Sequence, residues 1–509
     1  MKRIGIIALM LSAALASSAQ DKTVQKIIEM GQNDNKVMAH EEFLSNRIGG
    51  RIVGSGSLED AEKWVAAQFR SWGLDVMIQE AGEINVGFNR GPWFGKMVGD
   101  QPMTLHFGTP SYTAGTNGPQ RGHVVIEPKT RREFEANKAR YKGAWVLIGG
   151  TNTGWPIDWS EAADKARAEE IAKREAAEAN RSAGASAAAG TSEASGDEPS
   201  PALFYRELVD AGILGIIQSS DTPIRLLYDR KNCYDLTLDN LPTVCDIKLD
   251  KEQYDIIYRK AQNKDDFQLE FDIRNHFRMG PVKYHNIIGI LKGSKYPDEY
   301  VMTGGHLDAF DGGTGSVDDG QGTAVTMETA RLIALSGAKP KRSIAFCVWT
   351  AEEFGLFGSK HFVESGVVPM NKISNYFNRD GGPEVAVSVT VPEAMYDDFV
   401  SVSKPLVNLN PEFPFTVNKR TAPAGPRPTT AGGSDHAYFA MNGVPTIGLD
   451  LKDVKGYGFQ YGEIWHTERD LMNRIWPEYL EHSAIVNSVI IYGLSNLDHL
   501  LSREGLYTD

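Results

Sequence analysis

The sequence predicts an α/β fold: a mainly parallel central sheet with helices on both faces, interrupted by an inserted, mostly-β unit. Two observations predict it. From about residue 282 onward, short apolar runs alternate with helical patterns, the arrangement of strand–helix–strand units that build parallel sheets. Residues 95–275 have a different texture, with short strand-like runs such as 123–126 and 144–148. At 509 residues the chain is too long for one ordinary core. The expected division is a leader at 1–19, the first part of the main domain at 20–94, the inserted domain at 95–275, and the rest of the main domain at 276–509.

In chain order, Lys2 and Arg3 precede an apolar run of about a dozen residues from Ile4 to Ala16, followed by small residues up to Ala19. This reads as a secretory signal, too short to span a bilayer, so an exported protein, periplasmic or secreted, is expected. Ser57 is expected to cap a helix whose apolar positions are Ala61, Trp64, Val65, Phe69 and Trp72, with Gly73 as its stop. Within the insert, residues 161–201 form a biased segment. Its first half pairs Glu169 with Lys173 and Glu170 with Arg174 at helical spacing, a solvated helix; its second half is rich in Ala, Gly, Ser and Glu and should be flexible. Further on, the strand candidates are 285–291, 300–303, 343–349, 374–377 and 445–449, and the helix candidates 323–335, 357–364 and 477–497.

Composition narrows the function. Apolar residues make up 41% and charged residues 23%, as in a globular protein. A formal net charge of -13 argues against nucleic acid as a partner, and no later segment is apolar enough for a membrane span. Export permits disulfides: Cys233 and Cys245 are expected to pair, whereas Cys347, inside the apolar run 343–349, is expected to be a buried thiol.

The polar residues that can do chemistry follow the predicted strands, where ligands bind in such sheets. His306 and Asp308 end one strand, and Asp318 and Asp319 follow in a Gly/Asp-rich loop. An imidazole there is a good metal ligand if its other nitrogen is held; Asp308 is placed to hold it or to tune the metal from behind its ligands, and either Asp318 or Asp319 can bridge two metals. Glu352 and Glu353 follow the most apolar strand. Adjacent buried glutamates are costly unless metal or water satisfies them, and one can bind metal while the other holds an attacking water. Asp380 and His466 complete the set, and His436 is expected to be structural or to face the substrate. His306, Asp318, Glu353, Asp380 and His466 are two histidines and three carboxylates, a donor set suited to two zinc ions sharing one carboxylate.

These residues, with the stretch from Arg47 to Ser55 and the 286–289 strand, resemble the co-catalytic zinc aminopeptidases and plasma glutamate carboxypeptidase-like metallopeptidases. The resemblance implies the zinc-exopeptidase fold and two Zn2+ per chain: His306 and Asp380 on one ion, Glu353 and His466 on the other, Asp318 between them. It implies Glu352 as general base, Asp308 as the partner of His306, and a cis peptide after Asp318. The insert resembles a protease-associated domain, most tellingly at 141–148 and 208–217. Some members carry a tyrosine before the last histidine ligand, where this chain has Trp465; Tyr457 and Tyr461 are the nearby hydroxyls.

The function implied is exopeptidase hydrolysis of a peptide or dipeptide, as an aminopeptidase, dipeptidase or carboxypeptidase, with a metal-activated water and Glu352 as base. A homodimer is compatible with it. The rivals are a di-zinc amidohydrolase on N-acyl amino acids, a single-zinc glutaminyl-cyclase-like enzyme, and a non-catalytic receptor or scaffold.

Overall fold

The structure, a computed structural model, describes residues 21–182, 200–228 and 230–508. The expected leader at 1–19 and most of the tract after Ser182 lie outside these residues. Among the described residues no helix is long and apolar enough to cross a membrane.

The central sheet has five strands: β1 (Asp75–Asn89), β2 (His276–Leu291), β3 (Tyr296–His306), β4 (Arg342–Trp349) and β5 (Ile373–Asn378), in the order β1-β2-β4-β3-β5. The neighbours β4, β3 and β5 are parallel, whereas β1 pairs with β2, and β2 with β4, antiparallel. The sheet is therefore parallel where the chemistry-bearing residues lie and antiparallel at its other edge. The interior strand β4 is buried along its whole length, which requires apolar side chains on both faces. Ile344, Phe346 and Val348 enter one core, and Ala345, Cys347 and Trp349 the other. Each large apolar side chain so buried contributes roughly 1.5–3 kcal/mol. The Trp349 indole donates to the Tyr376 hydroxyl at 2.7 Å, and that hydroxyl donates to Asn378 Oδ1 at 2.7 Å, tying the ends of β4 and β5 together.

Helix α1 (Gly56–Ser71) begins two residues earlier than the sequence suggests. The cap is Ser55, in extended conformation, whose hydroxyl accepts from Leu58 N at 3.0 Å. Helices α2 (Gln321–Leu335), α3 (Phe357–Ser365) and α4 (Pro477–Ser495) fall on the expected segments. α4 is buried on nearly every side, because it packs against α2 as well as the sheet. The expected 445–449 strand is displaced: Leu449–Lys452 forms the strand, in a separate three-stranded sheet with Val385–Val391 and Thr416–Lys419.

A second sheet of eight strands is built from the chain between β1 and β2, from Trp93–Val98 to Gln268–Ile273. Its centre, Gln120–Ile126, Ala144–Asn152, Gly215–Ser220 and Cys245–Asp250, is parallel. Trp145 and Leu147 enter one of its cores, and Ala144, Val146 and Ile148 the other. Helices Arg131–Tyr141, Glu161–Ser182, Tyr205–Asp210 and Lys251–Asn263 accompany these strands. The unit is α/β rather than mostly β, because parallel strands need crossovers. The expected disulfide does not form: Cys233 lies in the main core and Cys245 in a core of the second sheet, and the two are not joined. Cys347 is fully buried, as its apolar run requires.

Candidate metal centre

Three adjacent parallel strands end together, and each delivers side chains to one place. His306 is the last residue of β3, Glu352 and Glu353 follow β4, and Asp380 follows β5. Asp318 comes from the loop before α2, and His466 from the loop before α4.

These side chains form two groups that can hold metal ions, one of His306, Asp318 and Asp380 and one of Asp318, Glu353 and His466. Asp318 belongs to both. Its Oδ1 lies 3.2 Å from His306 Nε2 and its Oδ2 3.6 Å from His466 Nε2. Asp380 Oδ2 is 3.8 Å from His306 Nε2, and Glu353 Oε2 is 3.0 Å from His466 Nε2. Glu352 is in neither group; its Oε2 stands 3.9 Å from His306 Nε2.

The donor atoms are buried and incompletely satisfied. Among the described residues His306 Nε2 and Glu353 Oε1 have no hydrogen-bond partner, although burying a polar group unpaired costs roughly 1–3 kcal/mol. Burial, aided by the neighbouring carboxylates, pushes the Glu352, Glu353 and Asp380 carboxyls upward. Burial disfavours a charged His306, but Glu352, Asp318 and Asp380 outweigh it and raise its pKa well above the ordinary value. Burial pushes the His466 imidazole down to about 4, against the pull of Asp318, which favours the neutral ring that a metal ligand needs. So many carboxylates facing one another are stable together when cations lie between them. Nitrogen and carboxylate donors suit zinc-type divalent ions.

The supports are as specific as the donors. His306 Nδ1 donates to the Asp308 carbonyl at 2.8 Å, which leaves Nε2 as the free lone pair. The Asp308 carboxylate does something else: Oδ1 accepts from Glu352 N at 3.0 Å and Oδ2 from Glu353 N at 3.1 Å. That carboxylate also stands beside the ring, with Oδ1 3.9 Å from His306 Nδ1, while its hydrogen bonds go to the glutamate loop. Asp319 belongs to neither metal group. It accepts from His306 N, Gln321 Nε2 and Gly322 N, each at 3.1 Å. Any Cβ on Gly305 or Gly322 would collide with that carboxylate. The Asp318–Asp319 peptide is cis. Asp470 accepts from Val317 N at 2.6 Å and Asp318 N at 3.3 Å, and so aims the shared carboxylate. The buried Arg51 donates to the carbonyls of Leu307, Gly49, Thr314 and Gly315 and holds the loop from below.

His466 is held differently. It has φ +57°, a left-handed conformation that costs a non-glycine residue on the order of 1–3 kcal/mol. Its ring lies between Phe310 (centroids 4.0 Å apart) and Trp465 (4.2 Å), and its carbonyl accepts from Leu226 N at 3.0 Å. Leu226 lies between the second-sheet strands Gly215–Ser220 and Cys245–Asp250, and its neighbours 224–228 run beside the metal groups. Arg225 forms a β-bridge with Thr467, and Glu468 N donates to the Ile224 carbonyl at 3.1 Å. The Tyr228 hydroxyl donates to the Glu353 carbonyl. Nothing in the sequence marked this stretch, because it carries no local motif.

Tyr461 also faces the site, its hydroxyl beside the Asp318 carboxylate. Tyr457 turns away and bonds Glu478. His436 lies outside both metal groups, at the start of the helix His436–Met441, while Ser434 accepts from Asn378 Nδ2 at 2.8 Å.

The profile of Peptidase family M28 matches residues 286–491, the segment that carries every residue singled out for metal and catalysis. Rat (Rattus norvegicus) Carboxypeptidase Q is 27% identical over 274 residues, 52% of this chain and 52% of that protein. A Glutamate carboxypeptidase 2 homolog from Caenorhabditis elegans is 32% identical over 210 residues, 36% of this chain and 26% of that one. The chain thus matches about half the length of the first of these curated relatives and less of the second. A Peptidase M28 precursor from Shewanella amazonensis has the same fold, with a TM-score of 0.56 at 20% identity, covering 95% of this chain and 98% of that one. The candidate metal centre therefore lies wholly within the segment, residues 286–491, that is similar to Peptidase family M28.

Proposed function

We propose that this chain is a zinc-dependent exopeptidase that binds two Zn2+ and hydrolyses a peptide bond at a chain end. The observation that carries the proposal is the place of Asp318, with one oxygen toward His306 and the other toward His466. His306 and Asp380 would hold one ion, Glu353 and His466 the other, and Asp318 both. The names of the relatives, Carboxypeptidase Q and Glutamate carboxypeptidase 2 homolog, support a peptidase that acts at a chain end. Zinc at such a site supplies Lewis acidity, polarising the scissile carbonyl and making water a nucleophile near neutral pH.

The chain's own residues do the rest. Glu352, outside both ligand groups, accepts a proton from the attacking water and passes it to the leaving amine as the C–N bond breaks. Asp308 is a positioning residue: through two backbone amides it keeps Glu352 and Glu353 in their separate directions. Tyr461 donates a hydrogen bond to the oxyanion that develops on the substrate carbonyl, a role Trp465 does not fill while its ring packs on His466. The unit between Trp93 and Ile273 is proposed to be a protease-associated-like insertion, with 95–275 as its extent, and the protein to be exported.

Elemental analysis of dialysed protein, with hydrolysis of a dipeptide panel, tests the reading. The expected result is two zinc ions per chain, a lower content in His306→Ala, and hydrolysis that chelator abolishes. One zinc per chain that His306→Ala leaves in place would overturn the two-metal assignment; no hydrolysis by zinc-loaded protein would overturn the peptidase.

A further inference from the structure

Five rings run in a row from the main core to the surface, and the imidazole of His466 is one of them. Phe354 lies against Tyr228 (centroids 4.4 Å apart), Tyr228 against Phe310 (5.1 Å), Phe310 against His466 (4.0 Å) and His466 against Trp465 (4.2 Å). Phe354, Tyr228 and Phe310 are buried. Trp465 ends the row at the surface. The Arg225 guanidinium also lies against it, with Cζ 4.8 Å from the ring centre, yet the indole remains 39% exposed. Beside a residue of the candidate metal centre, an indole left this open is a place where an apolar group gains by docking.

The path of the chain brings a second exposed indole to the same place. Leu226 N donates to the His466 carbonyl, and the next amide, Leu227 N, donates to the Gly154 carbonyl at 2.9 Å. The stretch 225–227 therefore runs between 466–467 and Gly154. Only glycine fits there: Gly154 has φ +105°, and a Cβ on it would stand 2.5 Å from the Arg225 carbonyl oxygen. Gly154 N donates to Asn152 Oδ1 at 2.7 Å, and Asn152 Nδ2 donates to Gln218 Oε1 at 3.0 Å, so the turn that delivers Trp155 is fixed from within the second sheet. Neighbouring extended segments lie ~4.8 Å apart, which puts the backbone of Trp155 on the order of 10 Å from that of His466. Trp155 is 52% exposed.

We infer that Trp465 and Trp155 form the subsite for a substrate side chain, and that this subsite selects an aromatic ring. An aromatic side chain continues the row at its open end. It gains from edge and offset contacts between rings beyond what burial alone gives, and an aliphatic side chain of the same size does not. The guanidinium already on the indole offers a planar cation against which the incoming ring can stack. The substrate class is short peptides with phenylalanine, tyrosine or tryptophan beside the scissile bond. The inference rests on the proposed peptidase activity and adds to it the side chain that is read.

The test uses the zinc-loaded full chain and two series of dipeptides, in which alanine is paired with glycine, cyclohexylalanine or phenylalanine on one side of the bond and then on the other. In one series kcat/KM should rise ~10–100-fold from glycine to phenylalanine, the scale of burying one large apolar side chain. Phenylalanine should also exceed cyclohexylalanine ~2–10-fold, the scale of a ring–ring contact. Trp155→Ala should lower kcat/KM for the phenylalanine peptide ~10-fold, mainly through KM, and far less for the glycine peptide, with zinc content unchanged. Trp155→Phe should restore part of the preference. Calorimetric binding of the same dipeptides to the Glu352→Gln protein should follow the same order and lose it when Trp155→Ala is added. Equal use and equal binding of phenylalanine and cyclohexylalanine in both series would overturn the inference and leave the peptidase standing. An equal fall on every peptide in Trp155→Ala would also overturn it, since Trp155 would then only support the stretch 225–227. Binding in the expected order with no hydrolysis by the zinc-loaded wild type would instead uphold the subsite and defeat the peptidase activity.

Discussion

The candidate metal centre and the core of the second sheet both bury charged groups, and they treat them in opposite ways. In the second sheet, Lys248 is wholly buried, and its Nζ donates to Asp246 Oδ1 and Gln218 Oε1, both at 2.6 Å. Asp246 Oδ2 accepts from Ile157 N at 2.7 Å, and Gln218 accepts a second time from Asn152 at 3.0 Å. Charge is neutralised inside the network and its acceptors are spoken for. At the candidate metal centre the carboxylates of Asp318, Glu352, Glu353 and Asp380 face two histidines, and the ligand atoms His306 Nε2 and Glu353 Oε1 have no hydrogen-bond partner among the described residues. A closed polar network holds a fold together. An open one keeps its donor atoms for a ligand, at a cost in stability that only binding offsets.

The largest expected effect probes the open network. Glu352→Gln keeps size and shape but cannot accept a proton, so kcat should fall ~10²–10⁴-fold with zinc content unchanged. Glu353→Gln should lose metal as well as activity, because its Oε2 faces His466. Steady-state kinetics with elemental analysis on both proteins separates the roles. Loss of zinc from Glu352→Gln would mean the two glutamates exchange roles.

The next probes the closed network. Lys248→Met leaves Asp246 buried without its cation, which should cost about 3–5 kcal/mol of stability, read by denaturant unfolding, while zinc content stays at the wild-type value. Adding Asp246→Asn should recover much of the loss, because an amide still accepts from Ile157 N and no charge is stranded. A Lys248→Met protein as stable as wild type would break the contrast between the two regions.

The open network was legible in the sequence because most of its donors sit at strand ends, next to glycines or after an apolar run. His306, Asp318, Glu353, Asp380 and His466 were readable for that reason, and the structure brings them together. The roles of neighbours were less so. Asp318 and Asp319 look alike in sequence, and only the turn of the chain sends one to the metal groups and the other to His306 N. Ser55 and Ser57 are both good caps, and the extended backbone at Ser55 decides between them. Arg225 and Tyr228 were invisible, because the contacts of their stretch with His466 and Glu353 join segments far apart in the chain and no periodicity encodes such a meeting. The closed network was hidden for a similar reason: Lys248 and Asp246 alternate along a strand as an exposed pair would, and their burial comes from elements distant in sequence.

Glu41 tests the boundary between the two regimes. It is fully buried; Oε1 accepts from the Ser45 hydroxyl at 2.5 Å, while Oε2 has no hydrogen-bond partner among the described residues. It has neither a lysine of its own nor a place in the metal groups, and burial pushes its carboxyl up to about 7, against the pull of Ser45, Arg51 and Ser316. The unfolded chain releases this proton near the ordinary glutamate value of about 4.3. Between that pH and about 7 the folded state therefore binds more protons than the unfolded state, and stability falls as pH rises. The contribution of Glu41 is whole below the unfolded value, is lost through this window, and is flat above it. Glu41→Gln removes the titration while retaining an acceptor for Ser45. The stability difference, variant minus wild type, should thus grow from about pH 4.5 to about pH 7 by roughly 1–3 kcal/mol and then level off. Taking that difference at each pH, with zinc at fixed concentration, cancels the titrations the two proteins share. Parallel stability curves across the window would show that Glu41 is ionised in the folded protein, with a partner for Oε2 that makes its surroundings a closed network after all.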